Sequence, residues 1–179
     1  MRLTRRSGLA LAAVAVSAGL NWPASAQETV KIGVILPMTG PFQSTGAEAS
    51  AAIKLFQQQR GSTVAGGTIE IIQRDDAGVP DNAKRIAQEL IVNDHVKLLF
   101  GFGLTPIAMA VAPLATEAKI PMVVTVASTS AITERSPYVV RTIQTIPQIA
   151  SIVGAWTIKN GIKSVVTIVS DYAPGHDAD

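Results

Sequence analysis

The stretch VKIGVIL, residues 30–36, is short, apolar and rich in β-branched side chains, so it predicts a buried strand. A loop rich in Pro, Gly, Ser and Thr follows at residues 37–46, and the pattern of residues 47–60 predicts a helix with Ala51, Ala52, Leu55 and Phe56 on one face. A strand that is apolar throughout, without alternation, is typical of a parallel sheet that is covered on both faces.

The same strand–loop–helix unit recurs along the chain. Further strands are predicted at residues 68–74, 96–101, 121–126 and 164–170, with a short extended piece at 138–142. Further helices are predicted at residues 81–94, 106–119 and 147–160, the last ending at Gly161 as its C′ glycine. The helix at 81–94 has a clear apolar stripe, which consists of Ala83, Ile86, Ala87, Leu90 and Ile91. The predicted fold is therefore α/β, a parallel sheet with helices on both faces.

The N-terminus has the layout of a cleavable signal peptide. Arg2, Arg5 and Arg6 precede an uncharged run at residues 8–20, and small residues at 24–26 predict cleavage after Ala26. A membrane anchor would need about 20 apolar residues, which is longer than this run. We expect export to the periplasm; Thr4-Arg5-Arg6 leaves the twin-arginine and general secretory routes both open.

Charge and cysteine content exclude several classes of partner and site. Residues 1–26 hold three of the 15 basic residues and none of the 13 acidic ones, so the mature chain has a net charge of −1. Such a chain has no basic excess to attract nucleic acid or a membrane surface. The chain has no cysteine, which excludes disulfides, thiolate metal sites, a cysteine nucleophile and a lipid-modified N-terminal cysteine. We expect the mature protein to be free in the periplasm.

Hydroxyl-rich loops follow the predicted strands at their carboxyl ends, where α/β sheets bind ligands. The polar residues of these loops are Thr39, Gln43, Ser44, Thr45, Thr105, Ser128, Thr129, Ser130, Asp171 and Tyr172. Several of them lead into helices, whose free N–H groups bind anions. The convergence of several such loops on one edge favours a small carboxylate ligand, although each hydroxyl taken alone is better explained as an ordinary helix cap or turn residue.

Motifs for enzymatic chemistry are absent from the sequence. Gly101-Phe102-Gly103 follows a predicted strand, but Pro106 stands where a dinucleotide-binding loop would have its third glycine. The sequence has no Walker loop, no G-x-S-x-G and no H-E-x-x-H. The pair Asp75-Asp76 could perform acid–base work, but its place just before a helix favours a structural or capping role. We expect a protein that is not an enzyme and has no metal or cofactor.

Five motifs follow one another in a recognisable order. They are KIGVILPMTGP at 31–41 with Gly46, Asp75-Asp76 with Pro80 and Ala83, IPMVV at 120–124 with STSAIT at 128–133, YVVRT at 138–142, and SDYAPG at 170–175. Each is similar to a motif of the leucine/isoleucine/valine-binding family, the type I periplasmic binding proteins that serve ABC importers. The resemblance covers residues 29–177 and implies binding of a branched-chain amino acid or a related small carboxylate. The D-Y-x-P-G form of the last motif is similar to branches that take aromatic or other organic acids.

The resemblance also implies a set of ligand-binding residues. Thr105 matches a hydroxyl contact after the third strand, Val126 a contact through its carbonyl, and Ser128 the hydroxyl contact that follows. Ser44 and Thr45 match the first-loop contact region, and Tyr172 matches an aromatic residue of the second lobe. The implied partners are the small-molecule ligand and an ABC permease in the inner membrane, with no nucleic acid, and the protein is expected to be a monomer.

Domain organisation follows from the same resemblance. Residues 1–26 are the signal peptide, residues 27–142 an incomplete first lobe, and residues 143–179 the truncated start of a second lobe. Members of the family are more than twice as long, so we expect this sequence to be the N-terminal part of a longer protein and to bind ligand poorly by itself. Two alternatives stay open: a ligand-sensing ectodomain of the same fold, and an α/β enzyme that uses Asp75 and Asp76.

Overall fold

The computed structural model describes residues 28–178, so the predicted signal peptide lies outside the described residues. The elements are β1 (Thr29–Leu36), α1 (Gln43–Arg60), β2 (Thr63–Val64), β3 (Gly67–Asp75), α2 (Pro80–Val92), β4 (Leu98–Gly101), α3 (Thr105–Ala118), β5 (Met122–Val124), a 3-10 helix (Ser130–Arg135), β6 (Val139–Arg141), α4 (Ile146–Lys159) and α5 (Ala173–His176). The predicted alternation of strands and helices is thus confirmed as far as β6.

The strands form a six-stranded sheet in the order β2-β3-β1-β4-β5-β6. All pairs are parallel except β2 with β3, and β1 lies inside the sheet between β3 and β4. Strands β2 and β3 form a hairpin. Ala65 and Gly66 both have positive φ there, as a two-residue hairpin turn requires.

One face of the sheet is tightly packed against α2 and α3. Ile35, Leu99 and Met122 from the strands are fully buried on this face, together with Leu90 of α2 and Val111 of α3. The apolar stripe predicted for α2 is confirmed: Ala83, Ile86, Ala87 and Leu90 are buried, and Ile91 is half-buried. Most of the hydrophobic core of the described residues lies on this face.

The other face is covered loosely by α1. The prediction that Ala51, Ala52, Leu55 and Phe56 form a buried face is wrong, since Leu55 is 52% exposed and Phe56 is 63% exposed. Between α1 and the sheet lies a cavity of about 760 Å³ lined by apolar side chains that include Ile32, Val34, Ile53, Phe56, Ile69, Ile71 and Phe100. Helices therefore lie on both faces, as predicted, but they pack very differently.

Residues 143–178 form a third region with almost no packing. Helix α4 begins with a capping box between Thr145 and Gln148, and Gly161 follows it with a φ of +71°, which confirms the predicted C′ glycine. None of the residues of α4 is buried. The strand predicted at 164–170 is wrong, because this segment does not join the sheet, and Ile168 there is 96% exposed.

Candidate functional site

The order of the strands opens a crevice at the carboxyl end of the sheet. The chain leaves β1 towards β3 on one side, and it leaves β4 towards β5 on the other. Loops that diverge from neighbouring parallel strands in this way leave a binding crevice between them. The two loops lie in close contact, since a Cβ atom added to Gly103 would lie 2.8 Å from Cδ of Pro37. Glycine is needed at this approach because any side chain would push the loops apart.

Helix α1 begins four residues earlier than the sequence predicted, so Ser44 and Thr45 belong to its first turn. Ser44 is exposed and Thr45 is half-buried. The N-cap residue Phe42 has no side-chain hydrogen bond to the helix, so its side chain does not cap the N–H groups of the first turn. Gly46 packs directly on the loop, where a Cβ atom would lie 2.1 Å from the Pro37 carbonyl oxygen.

Thr105 begins α3 and is buried, with 2% of its surface exposed. Its Oγ1 lies 2.7 Å from Oγ1 of Thr129, which is buried as well. Two hydroxyls carry two hydrogens and their mutual bond uses one, so one O–H remains to be donated. The sequence placed Thr129 among the hydroxyl residues of these loops, but it was not among the predicted ligand-binding residues.

The β5 loop brings Val126 and Ser128 to the same edge, and both are half-buried. Val126 lines the cavity that Thr45 also lines, so the structure brings these two predicted residues together. The carbonyl of Ser128 accepts a hydrogen bond of 3.0 Å from the Ile146 amide. Arg141 donates from Nη1 to the carbonyl oxygen of Thr129 at 2.7 Å, which places a positive charge beside this loop.

Tyr172 stands apart from the other predicted residues. It is extended and 42% exposed, and it precedes α5. Its segment reaches the site edge through Asp177, whose carboxylate accepts hydrogen bonds from the backbone amide and the hydroxyl of Ser130. Sequence reasoning missed Asp177. Nearby, Nε2 of His176 lies 2.9 Å from Oδ1 of Asp171, a partner that the sequence did not suggest.

The carboxylate of Asp75 joins the loop after β3 to the loop after β1. It accepts hydrogen bonds from the Met38 amide (2.7 Å), the Thr39 amide (3.3 Å), the Thr39 hydroxyl (2.6 Å) and the Ala77 amide (2.8 Å). Desolvation works to raise the pKa of Asp75, but these hydrogen bonds outweigh it and lower the pKa below its ordinary value. The Thr39 hydroxyl hydrogen is therefore committed to Asp75.

The neighbouring carboxyl group, that of Asp76, lies in a contrasting environment. Asp76 is fully buried; its Oδ1 accepts from the Gly78 amide at 2.7 Å, and its Oδ2 has no hydrogen-bond partner among the described residues. Burial raises the pKa of Asp76, and the nearby charge of Asp75 raises it further. The helix-capping role that we considered for the pair is wrong, because α2 has Val79 as its N-cap and no side-chain cap.

Neither aspartate is placed for acid–base chemistry on a ligand, since Asp75 accepts four hydrogen bonds from the protein and Asp76 is closed off from solvent. Within residues 28–178, no group of three or more histidine, aspartate or glutamate side chains is arranged to hold a metal ion. No helix in that range is both long enough and apolar enough to cross a membrane.

Comparisons with known proteins agree on one family. A family model described as periplasmic binding protein matches residues 29–179. The Leu/Ile/Val-binding protein homolog 6 of Brucella abortus is 41% identical over 172 residues, which are 96% of this chain and 44% of that relative. The chain thus spans less than half the length of this relative.

Two solved structures from Rhodopseudomonas palustris are similar over 84% of this chain and 41% of theirs. A solute-binding protein of an ABC transporter from strain BisB5, in complex with 3,4-dihydroxybenzoic acid, is 59% identical with a TM-score of 0.82. A solute-binding protein from strain HaA2, in complex with p-hydroxybenzoic acid, is 45% identical with a TM-score of 0.81. These likenesses confirm the predicted fold. The names of all three proteins describe binding proteins, in agreement with the prediction that the chain is not an enzyme.

Proposed function

The chain belongs to the periplasmic binding protein family, and we propose that it supplies the first lobe of a substrate-binding protein. The proposed ligand is a small aromatic carboxylate, a hydroxybenzoate, which an ABC importer takes up. The observation that carries this proposal is the 59% identity to a binding protein that holds 3,4-dihydroxybenzoic acid. Residues 27–142 would form that lobe, and residues 143–179 would begin the second.

The geometry of the crevice supports an anionic ligand. The first turns of α1 and α3 both begin at this edge of the sheet without a side-chain cap, and free N–H groups at helix N-termini favour negative charge. The spare hydrogen of the Thr105–Thr129 pair and the half-buried Ser128 are further donors. Ser44, Thr45, the carbonyl of Val126, and Tyr172 complete the proposed ligand contacts.

The loops of the described edge favour an aromatic acid over an amino acid. An amino acid brings an ammonium group, which needs an acceptor, preferably a carboxylate. Three carboxylates near this edge are engaged or buried: Asp75 accepts four hydrogen bonds, Asp177 accepts from the amide and hydroxyl of Ser130, and Asp76 lies in the core. A branched-chain amino acid, which the Brucella relative's name indicates for that protein, is the second candidate.

We further propose export to the periplasm with cleavage after Ala26, action as a monomer, and delivery of the ligand to an inner-membrane ABC permease. The basic, apolar and small-residue order of residues 1–26 supports the export. N-terminal sequencing of the exported protein should find Gln27 as the first residue. A retained Met1 would contradict the proposed cleavage.

Calorimetry on the complete protein that contains this sequence tests the ligand. We expect binding of 4-hydroxybenzoate and 3,4-dihydroxybenzoate and much weaker binding of leucine. Thr105→Val and Ser128→Ala each remove a hydroxyl donor to a charged group, worth about 1.5–3 kcal/mol, or roughly 10- to 150-fold in affinity. Thr63→Val in the exposed strand β2 is the matched control and should leave affinity unchanged. Tight binding of leucine alone would contradict the aromatic ligand, and unchanged affinity in both variants would contradict the proposed contacts.

A further inference from the structure

The loop after β1 is attached to the turn after β3 by one side chain. Asp75 Oδ1 accepts from the backbone amides of Met38, Thr39 and Ala77, while Oδ2 accepts from the Thr39 hydroxyl. Two of these residues lie 36 or more positions away in sequence. A single carboxylate therefore fixes the start of the loop that leads into α1.

The same turn also touches the far end of that loop. Gly78 has a φ of +74°, and a Cβ atom there would lie 3.2 Å from Cδ2 of Phe42, the residue just before α1. Between these two attachments, a Cβ atom on Gly40 would lie 3.4 Å from the carbonyl oxygen of Ala77. The turn at residues 75–78 thus supports the loop along its length, from Met38 to Phe42.

We propose that Asp75 is a positioning residue for ligand binding, which holds residues 38–42 so that Ser44 and Thr45 in the first turn of α1 face the crevice. The proposal rests on the proposed function, because it assigns Asp75 a role at the same site. The four donors around Asp75 come from the protein itself, so its carboxylate acts on the loop and not on the ligand directly.

Substitutions at Asp75 and Thr39 test the hydrogen bonds of the two carboxylate oxygens separately. In Asp75→Asn the remaining oxygen can still accept the three backbone amides, and the Thr39 hydroxyl can turn to accept from the new NH₂ group. Asp75→Ala removes all four bonds. Thr39→Val removes the bond at Oδ2, whereas Thr39→Ser keeps the hydroxyl. The loss of affinity should therefore be greatest for Asp75→Ala and smaller for Asp75→Asn and Thr39→Val, and Thr39→Ser should bind as the wild type does.

Two measurements on the complete protein test the proposal. Calorimetry with 4-hydroxybenzoate should show about a tenfold or greater loss for Asp75→Ala, which corresponds to ~1.4 kcal/mol, and roughly threefold for Asp75→Asn and Thr39→Val. Hydrogen exchange without ligand should show faster exchange of the Met38 and Thr39 amides in Asp75→Ala. Asp81→Ala is the control, because Asp81 is exposed in the first turn of α2.

Four results would overturn the proposal in distinguishable ways. Faster exchange with wild-type affinity would reduce Asp75 to a purely structural role. Unchanged exchange and unchanged affinity would remove both roles. If Asp75→Ala does not fold, Asp75→Asn, Thr39→Val and Thr39→Ser still test the proposal. Equal affinity of Thr39→Val and Thr39→Ser would contradict the positioning role of Asp75. Failure of the wild type to bind any of the carboxylates tested would overturn the proposed function and this inference together.

Discussion

The two faces of the central sheet use similar residues and reach different packing. On the α2–α3 face, Ile35 and Leu99 are fully buried, whereas on the α1 face, Ile71 is half-buried beside a cavity of about 760 Å³. Helix α1 is 18 residues long, yet only Gly46 and Ser50 within it are buried. This difference shows that an apolar composition allows a strand to be buried. The shape and spacing of the covering helices then decide whether it is buried.

The largest expected effect comes from truncating matched isoleucines on the two faces. Ile35→Ala should lower the free energy of unfolding by about 2–5 kcal/mol, since it removes a packed side chain and leaves a void. Ile71→Ala should cost about 1 kcal/mol, because this side chain already borders open space. Urea denaturation of both variants measures the difference, and equal costs would mean that the α1 face is as well packed as the other.

An intermediate effect is expected from the two aspartates at the end of β3, which have opposite pKa shifts. Asp76 has a pKa above its unfolded value of 3.8, so its contribution to stability is full below that value and is lost as the pH rises through the folded pKa. Asp75 has a lowered pKa, so its contribution is present above 3.8 and is lost as the pH falls through the folded pKa.

The substitution to asparagine should therefore act in opposite directions. Relative to wild type, Asp76→Asn should become more favourable as the pH rises above about 4, and Asp75→Asn should become less unfavourable as the pH falls below about 4. Denaturation midpoints below and above this pH provide the measurement. Parallel pH profiles for the two variants and the wild type would show that the two environments do not differ as the structure indicates.

The smallest effect is expected in the third region, on helix α4. Ile152 is 70% exposed, so Ile152→Ala should change the free energy of unfolding by no more than about 0.5 kcal/mol. This variant is therefore the baseline against which the unfolding free energies of Ile35→Ala and Ile71→Ala are compared. A cost comparable to that of Ile35→Ala would show that α4 is packed against another part of the complete protein.

Part of the site followed from reading strands and loops alone. Ser44, Thr45, Thr105 and Ser128 lie after β1, β4 and β5, and parallel strands must place those ends on one edge. Val126 was added only through the family resemblance. The hydroxyl pair of Thr105 with Thr129 could not be predicted, because it joins residues 24 positions apart through the packing of two loops. The contact of Asp177 with Ser130 joins residues 47 positions apart and could not be predicted from the sequence either.

The amino-acid sequence was enough to predict the parallel α/β order, since hydrophobic periodicity and short-range turn residues are local properties. It favoured a structural or capping role for Asp75 and Asp76, left an acid–base role open, and did not show which groups the two carboxylates bond. The tertiary structure alone shows that Asp75 joins the loops after β1 and β3 and that Asp76 is buried, because the Met38 and Thr39 donors and the core around Asp76 come from other segments. It likewise decided that residues 164–170 stay out of the sheet, since a strand exists only where a neighbouring strand supplies hydrogen bonds, however apolar its own sequence is.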